Sequence, residues 1–361
     1  YKKLLNSKSE VLNSLSSNYH YSFNKKNLSK YKKNKYFRVI GMGGSTLGSQ
    51  AIYDFLKHRI KKNFLFIDNL KLSQKNVKKN FTNLVISKSG NTIETIVNAN
   101  ILIKNKDKNI FITEDKHSYL KLLANKLKAE IIDHNNFIGG RYSVLSEVGM
   151  LPAELMGLDS NKFKQINSLI KNKQFENSLL SNVAASLYYL KKKKFNSIII
   201  NYDEKSENLF KWYQQLVAES LGKKNKGILP IVSIMPRDNH SVMQLYLDGF
   251  KDNFFTFFYV KEKNSDRLFN NNILSAKNYL KNKDVNKIIY AQKKATENVF
   301  KKKNIPFRSF ELDNRDEKSL GELFCFFMLE TILIGRALKI DPYNQPAVEL
   351  IKKETKKLLV S

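Results

Sequence analysis

Cysteine is all but missing from this sequence: the single thiol, Cys325, lies in an apolar run at 323–329. One thiol cannot build an intrachain disulfide framework, so the cysteine usage reads as that of a cytoplasmic chain, with Cys325 as buried packing. No apolar run reaches the ~20 residues that span a bilayer, and Tyr1-Lys2-Lys3-Leu4-Leu5-Asn6 has no hydrophobic signal core. Acidic residues are scarce as well, 33 Asp and Glu against 63 Lys and Arg, which leaves a formal net charge of +30.

So basic a chain raises the question of nucleic acid, anionic membranes or anionic substrates. The lysines, however, are spread along the whole length and alternate with asparagine, as in Lys32-Lys33-Asn34-Lys35 and Lys223-Lys224-Asn225-Lys226. A nucleic-acid interface would interleave bases and stacking aromatics on one element. The best such stretch, Tyr188-Tyr189-Leu190-Lys191-Lys192-Lys193-Lys194, reads as a solvated helix end. Neither a specific nucleic acid nor a membrane is expected as a partner.

What is present is apolar substance. Hydrophobic residues make up 42% and aromatics 12% of 361 residues, enough to bury sizeable cores and to exclude wholesale disorder. The length suits two domains. Short apolar runs at 37–40, 64–67, 84–86, 110–112 and 130–132 alternate with amphipathic stretches at 47–57, 73–79, 92–104 and 118–126. After a long helical stretch at 161–193 the alternation resumes, with strands at 197–201, 231–234, 254–259 and 307–310. Helices are expected between them at 207–221, 240–247 and 285–301, and after them at 320–338. This predicts an α/β fold of two doubly wound parallel-sheet domains with helices on both faces, plus a C-terminal helix. The expected division is an N-terminal helical appendage (1–35), a first α/β domain (36–158), a second (159–340) and the C-terminal helix (341–361).

In open parallel sheets, ligands sit beyond the carboxyl ends of the strands. After the first strand comes Gly41-Met42-Gly43-Gly44-Ser45-Thr46-Leu47-Gly48, whose glycines let backbone approach an anion at a helix start. A dinucleotide fingerprint would want a third glycine where Thr46 stands, and only Asp68 offers a ribose-binding acid, so that reading is disfavoured. After the third strand, Ser87-Lys88-Ser89-Gly90-Asn91-Thr92-Ile93-Glu94-Thr95 groups hydroxyls with a lysine. That grouping suits a phosphate dianion better than a plain helix cap.

Chemistry needs more than a grip. Gly139-Gly140-Arg141 offers a permanent cation able to hold an oxyanion, although a surface turn with a solvated arginine explains it equally well. Gln215 and Glu219 lie four apart on one helical face, and Leu216-Val217-Ala218 before Glu219 suggests the partial desolvation that tunes a carboxylate as a base. Taken alone, Glu219 reads as an ordinary helix carboxylate, His240 as a helix-start or solvated histidine, and Lys352 as a surface lysine. No His, Cys and Asp spacing suggests a metal site.

Together, and in this order, these segments resemble the phosphoglucose isomerase family. The motifs are Gly-Gly-Ser at 43–45, Ser-Lys-Ser-Gly-Asn-Thr-Ile-Glu-Thr at 87–95, Gly-Gly-Arg-Tyr-Ser-Val at 139–144 and Gln-x-x-x-Glu-Ser-x-Gly-Lys at 215–223. They continue with His-Ser-x-x-Gln-Leu at 240–245 and Asn-Gln-Pro-Ala-Val-Glu at 344–349 with Lys352 beyond. The resemblance covers roughly 36–361 and implies reversible isomerisation of glucose 6-phosphate and fructose 6-phosphate through a cis-enediol(ate), in glycolysis and gluconeogenesis. It implies that Ser87, Lys88, Ser89 and Thr92 grip the phosphate, with Gly44 and Ser45 lining the same pocket. Glu219 would carry the proton between C2 and C1, Arg141 would stabilise the enediolate, and His240 and Lys352 would open the sugar ring. Gln215 and Gln345 would orient hydroxyls. A homodimer is implied, with His240 supplied by the partner subunit, and neither cofactor nor metal.

The sequence departs from the family pattern at Met235-Pro236, Asp238, Asn344 and Ala347. A sugar-phosphate-binding regulator or an aminosugar-phosphate isomerase would keep the 87–95 loop. Neither needs Glu219, Arg141, His240 and Lys352 together.

Overall fold

Five strands, β1 (Tyr36–Ile40), β2 (Asn63–Ile67), β3 (Thr82–Ile86), β4 (Lys108–Thr113) and β5 (Glu130–Asp133), form one parallel sheet in the order β2-β1-β3-β4-β5. β3 is buried along its whole length, as expected of a strand covered by helices on both faces. Around it run α1 (Leu47–Phe55), α2 (Ile93–Leu102), α3 (Tyr119–Lys126) and α4 (Glu147–Met156). A computed structural model supplies these coordinates and describes the chain except for residues 6, 8, 73–78, 269–274 and 361. The helix expected at 73–79 falls, all but its last residue, outside the described residues.

A second parallel sheet, in the order β7-β6-β8-β9, comprises β6 (Asn196–Asn201), β7 (Leu229–Ile234), β8 (Asn253–Val260) and β9 (Phe307–Leu312). Its helices are α5 (Lys173–Lys191), α6 (Glu207–Leu221), α7 (Met243–Asp248), α8 (Val285–Lys302) and α9 (Glu317–Ala337), and α10 (Pro346–Val360) follows. The doubly wound α/β architecture read from the sequence is the one observed.

Two expected elements differ. The stretch at 161–193 is not one helix but a short turn, Ser160–Phe163, a brief helix, Ile166–Leu169, and then α5. Asp159 and Asn172 start the new elements by accepting from Asn161 N and from Gln174 N and Phe175 N, local bonds that compete with continued helix. Nor does His240 open a helix. It closes the turn Arg237–His240, and α7 begins three residues later.

The N-terminal segment contributes to the interior: Leu4, Val11, Leu15 and Phe23 are buried in the main apolar cluster. That cluster contains residues of both sheets, Val39 and Leu84 in the first and Ile199 and Phe258 in the second. α9 is buried almost throughout and α6 packs on α1. Among the described residues no helix is long and apolar enough to cross a membrane.

The two sheets use their carboxyl edges differently. Where β6 and β8 end, Arg315 is paired with Asp203 (Nη2 to Oδ1, 2.6 Å) and with Glu262 (Nε to Oε1, 2.8 Å). Where β1 and β3 end, the glycine loop and the 87–92 loop lie side by side. A Cβ at Gly41 would stand 2.8 Å from the Ile86 carbonyl oxygen. This is the point where the winding of the first sheet reverses, the usual position of a ligand crevice.

Candidate active site

The turn Gly43–Ser45 carries the first sheet toward α6. Gly43 has φ +52°, and a Cβ there would lie 2.8 Å from Gln215 Nε2. A Cβ at Gly44 would lie 2.2 Å from the Gly140 carbonyl carbon and 2.6 Å from the Arg141 nitrogen. Glycine at 44 is therefore required by the close approach of two backbones, and the loop at 139–141 is brought against the loop at 43–45 by it.

Arg141 enters through this contact in the turn Gly140–Leu145 and is 1% exposed. Its guanidinium is fully engaged. Nε donates to Ser220 Oγ (2.8 Å), Nη2 to the carbonyls of Pro342 (2.7 Å) and Asn344 (3.1 Å), and Nη1 to Gln345 Oε1 (2.7 Å) and Glu219 Oε2 (3.1 Å). The Trp212 indole N–H donates to the Arg141 carbonyl at 3.1 Å, fixing the backbone behind it. Nη2 is held by main-chain carbonyls, whereas Nε and Nη1 have side-chain acceptors alone.

α6 supplies the other half. Leu209, Phe210, Trp212, Leu216 and Val217 bury one face of the helix, which leaves Gln215 and Glu219 together on the face toward Arg141. Gln215 Nε2 donates to Glu219 Oε1 at 2.9 Å, while Gln215 Oε1 is buried with no partner among the described residues, an acceptor available to a hydroxyl. The Glu219 side chain is 31% exposed, so an ion pair and an amide, more than burial, define its setting. It borders a cavity of about 830 Å³ that Asn344 and Gln345 also line.

In the 87–92 loop, Ser87 Oγ and Thr92 Oγ1 are 2.9 Å apart, and Ser89 Oγ accepts from Asn91 N at 3.2 Å. Thr92 stands at the N-cap of α2 yet makes no side-chain cap bond, so the hydroxyls are not committed to ending the helix. The Lys88 ammonium donates to the Asn136 carbonyl at 2.7 Å and lies 3.5 Å from Glu114 Oε1. Nearby, His134 is buried and its Nδ1–H donates to the Asn135 carbonyl at 2.9 Å; burial pushes its pKa down to about 4.

The structure thus brings together Arg141, Glu219, Gln215 and Gln345, and Gly44 packs on Gly140 at their edge. Ser87, Ser89, Thr92 and Lys88 gather at the neighbouring carboxyl ends, with Ser45 in the adjoining turn. Two expected residues lie elsewhere in this single chain. His240 is exposed at the end of its turn, and Lys352, 60% exposed on α10, pairs with Glu349 at 2.7 Å. Sequence reasoning assigned no role to Ser220, Tyr142 or Trp212. Tyr142 OH lies 2.8 Å from Ser220 Oγ and donates to the Pro342 carbonyl at 3.1 Å. All three stand in or beside the quoted motifs, which was the only signal for them.

The family model for phosphoglucose isomerase matches residues 28–235. The chain belongs to the phosphoglucose isomerase family. It is 36% identical to glucose-6-phosphate isomerase of Methanocaldococcus jannaschii over 91% of this chain and 86% of that protein. It is 34% identical to glucose-6-phosphate isomerase of Mycoplasmopsis pulmonis over 89% of this chain and 82% of that protein. Among solved structures, a hypothetical protein of Thermus thermophilus superposes with a TM-score of 0.87 at 22% identity, covering 100% of this chain and 94% of that one. A glucose-6-phosphate isomerase from Chlamydia trachomatis gives 0.73 at 18% identity, covering 97% and 73%. These structural likenesses speak for the shared fold.

Proposed function

We infer that this family member catalyses the reversible isomerisation of glucose 6-phosphate and fructose 6-phosphate, with Glu219 as the base. The observation that carries the assignment is the Glu219–Arg141 pair, 3.1 Å between Oε2 and Nη1, with Glu219 on the border of a cavity. Moving a carbonyl from C1 to C2 requires removing the C2 proton, holding the enediolate while the hydroxyl proton passes from O2 to O1, and returning the carbon-bound proton to C1 on the same face. One carboxylate does both transfers, and a fixed cation opposite it lowers the energy of the charge that appears between them.

The pattern of donors on Arg141 supports a division of labour. Nε and Nη2 are fixed on Ser220 and on main-chain carbonyls. Nη1 can exchange Glu219 or Gln345 for the substrate oxygen, which frees a Glu219 oxygen at the moment a base is needed. The Ser87, Ser89 and Thr92 hydroxyls with Lys88 take the phosphate, and the idle Gln215 Oε1 takes a sugar hydroxyl. In this reading the phosphate fixes the substrate and the reacting carbons lie against Glu219.

His240 and Lys352 are assigned to ring opening in a homodimer, His240 acting across the interface. In support, His240 stands on an exposed turn, and α10 exposes Leu350, Ile351, Leu358 and Leu359, an apolar set that a second subunit would cover. We place the enzyme in the cytoplasm, in keeping with the buried thiol of Cys325. The direct test is a coupled assay of the purified protein with fructose 6-phosphate in the presence of EDTA. No conversion to glucose 6-phosphate would overturn the assignment.

A further inference from the structure

α6 ends at Gly222, and the chain turns back at once through Lys223-Lys224-Asn225-Lys226. Lys223 N donates to the Lys226 carbonyl (3.1 Å) and Lys226 N to the Lys223 carbonyl (2.9 Å). Lys224 and Asn225 both adopt positive φ, 53° and 55°. Two left-handed residues inside a doubly bonded four-residue turn make it stiff. From this turn the Lys223 ammonium reaches in two directions, donating to the Ser220 carbonyl at 3.0 Å and to the Asp341 carbonyl at 2.6 Å. Lys226 Nζ adds a third tie, to the Leu338 carbonyl at 3.0 Å, where α9 ends.

Those two carbonyls belong to the two sides of the Arg141 cradle. Ser220 accepts Arg141 Nε on its side chain, and Pro342, next to Asp341, accepts Nη2 on its main chain. Among the described residues no regular element bridges α6 and the 341–345 loop directly, and 118 residues separate Lys223 from Asp341. Lys223 spans them from outside, while Arg141 and Tyr142 bridge Ser220 and Pro342 from within. The half-buried position of Lys223 next to Arg141 is electrostatically costly: burial first, and the guanidinium field second, push its pKa down.

We propose that Lys223 is a positioning residue for the isomerisation. By tying the C-terminal end of α6, which carries Glu219, to the 341–345 loop, whose carbonyls hold Arg141, it sets the guanidinium opposite Glu219. Although Lys223 also lines the cavity that Glu219 borders, both of its hydrogen bonds go to the cradle, so its loss should damage the rate and leave phosphate binding alone. The proposal rests on the isomerase reading above, and wild-type turnover in the same assay separates the two. Inactive wild type would sink that reading, whereas active wild type with unimpaired variants would sink only the role of Lys223.

The test compares Lys223→Met, Lys223→Gln and Lys223→Arg with wild type. Methionine and glutamine keep most of the length without the charge and are expected to lower kcat by about 10- to 100-fold with KM within about 2-fold, since misplacing a catalytic group by an ångström costs that order. Arginine should recover most of the rate. A phosphorylated sugar hydroxamate, which mimics the enediolate, should lose affinity by the same factor as kcat. Sorbitol 6-phosphate, which has the phosphate but no carbonyl, should bind as before. An unchanged kcat, a rise in KM alone, or equal weakening of both ligands would overturn the proposal. So would failure of both neutral variants to fold, since Lys223 would then be holding the fold and not the cradle.

Discussion

Arg141 Nη1 and Glu219 Oε2 stand 3.1 Å apart although 78 residues separate them in the chain and they belong to elements of different sheets. Their meeting depends on the backbone contact of Gly44 with Gly140 and on α6 packing against α1, the helix that follows the glycine loop. The guanidinium opposing this carboxylate is thus positioned by the junction of the two sheets.

Glu219→Gln keeps the shape and can keep both neighbours, because a glutamine oxygen still accepts from Arg141 and its amide can donate to the idle Gln215 Oε1. Stability should change by less than about 1 kcal/mol. The kcat should fall by about 10² to 10⁴ while fructose 6-phosphate still binds. Turnover near wild type would remove Glu219 as the base.

Arg141→Lys tests whether charge alone suffices. One ammonium cannot satisfy the two side-chain oxygens, two carbonyls and one hydroxyl that the guanidinium holds, so buried acceptors are stranded. The kcat should drop by about 10² to 10³, and thermal unfolding should show a loss of about 3 kcal/mol. A stable, active lysine variant would refute the cradle as described.

Lys88→Ala addresses the phosphate grip. The variant should raise the KM for fructose 6-phosphate by about 10-fold or more with little change in kcat, and should weaken competitive inhibition by inorganic phosphate alike. If KM stays where it was, the 87–92 loop does not hold the phosphate.

Mixing Glu219→Gln with His240→Ala checks whether His240 works across subunits. Each variant alone should be nearly inactive. After joint refolding, mixed dimers would carry one competent site built from the intact Glu219 of one subunit and the intact His240 of the other. Absence of recovered activity, with mixed dimers demonstrated by mass, would assign His240 to its own chain or to no role.

The buried His134 gives the fold an acid dependence. Its pKa falls from 6.5 to about 4 on folding, so below pH 6.5 the unfolded chain takes a proton that the native site refuses. Stability should therefore decline as pH falls from about 6.5 to about 4, by about 3 kcal/mol over that window. Denaturant unfolding of wild type and His134→Gln should show the steeper acid-side loss in wild type. Parallel curves would mean that His134 titrates normally.

Much of this was legible in the residues, for physical reasons. Strands covered on both faces, such as β3, are short continuous apolar runs, and the spacing of Gln215 and Glu219 alone puts them on one face of α6. What escaped was non-local or irregular. Arg141 is held by main-chain carbonyls at 342 and 344, and any sequence offers carbonyls there. Asp159 and Asn172 interrupt a helix-like stretch through bonds to nearby N–H groups, which a helical period does not register. His240 and Lys352 were recognised only by resemblance, and neither touches Arg141 or Glu219 within a single chain.

The apolar cluster that contains Val39 and Leu84 together with Ile199 and Phe258 gives the molecule a shared fate. A polypeptide cut between its two sheets would leave each half with a torn greasy face, prone to clump before it could bind sugar. Calorimetry should accordingly record one endotherm for the intact chain, with neither sheet melting on its own.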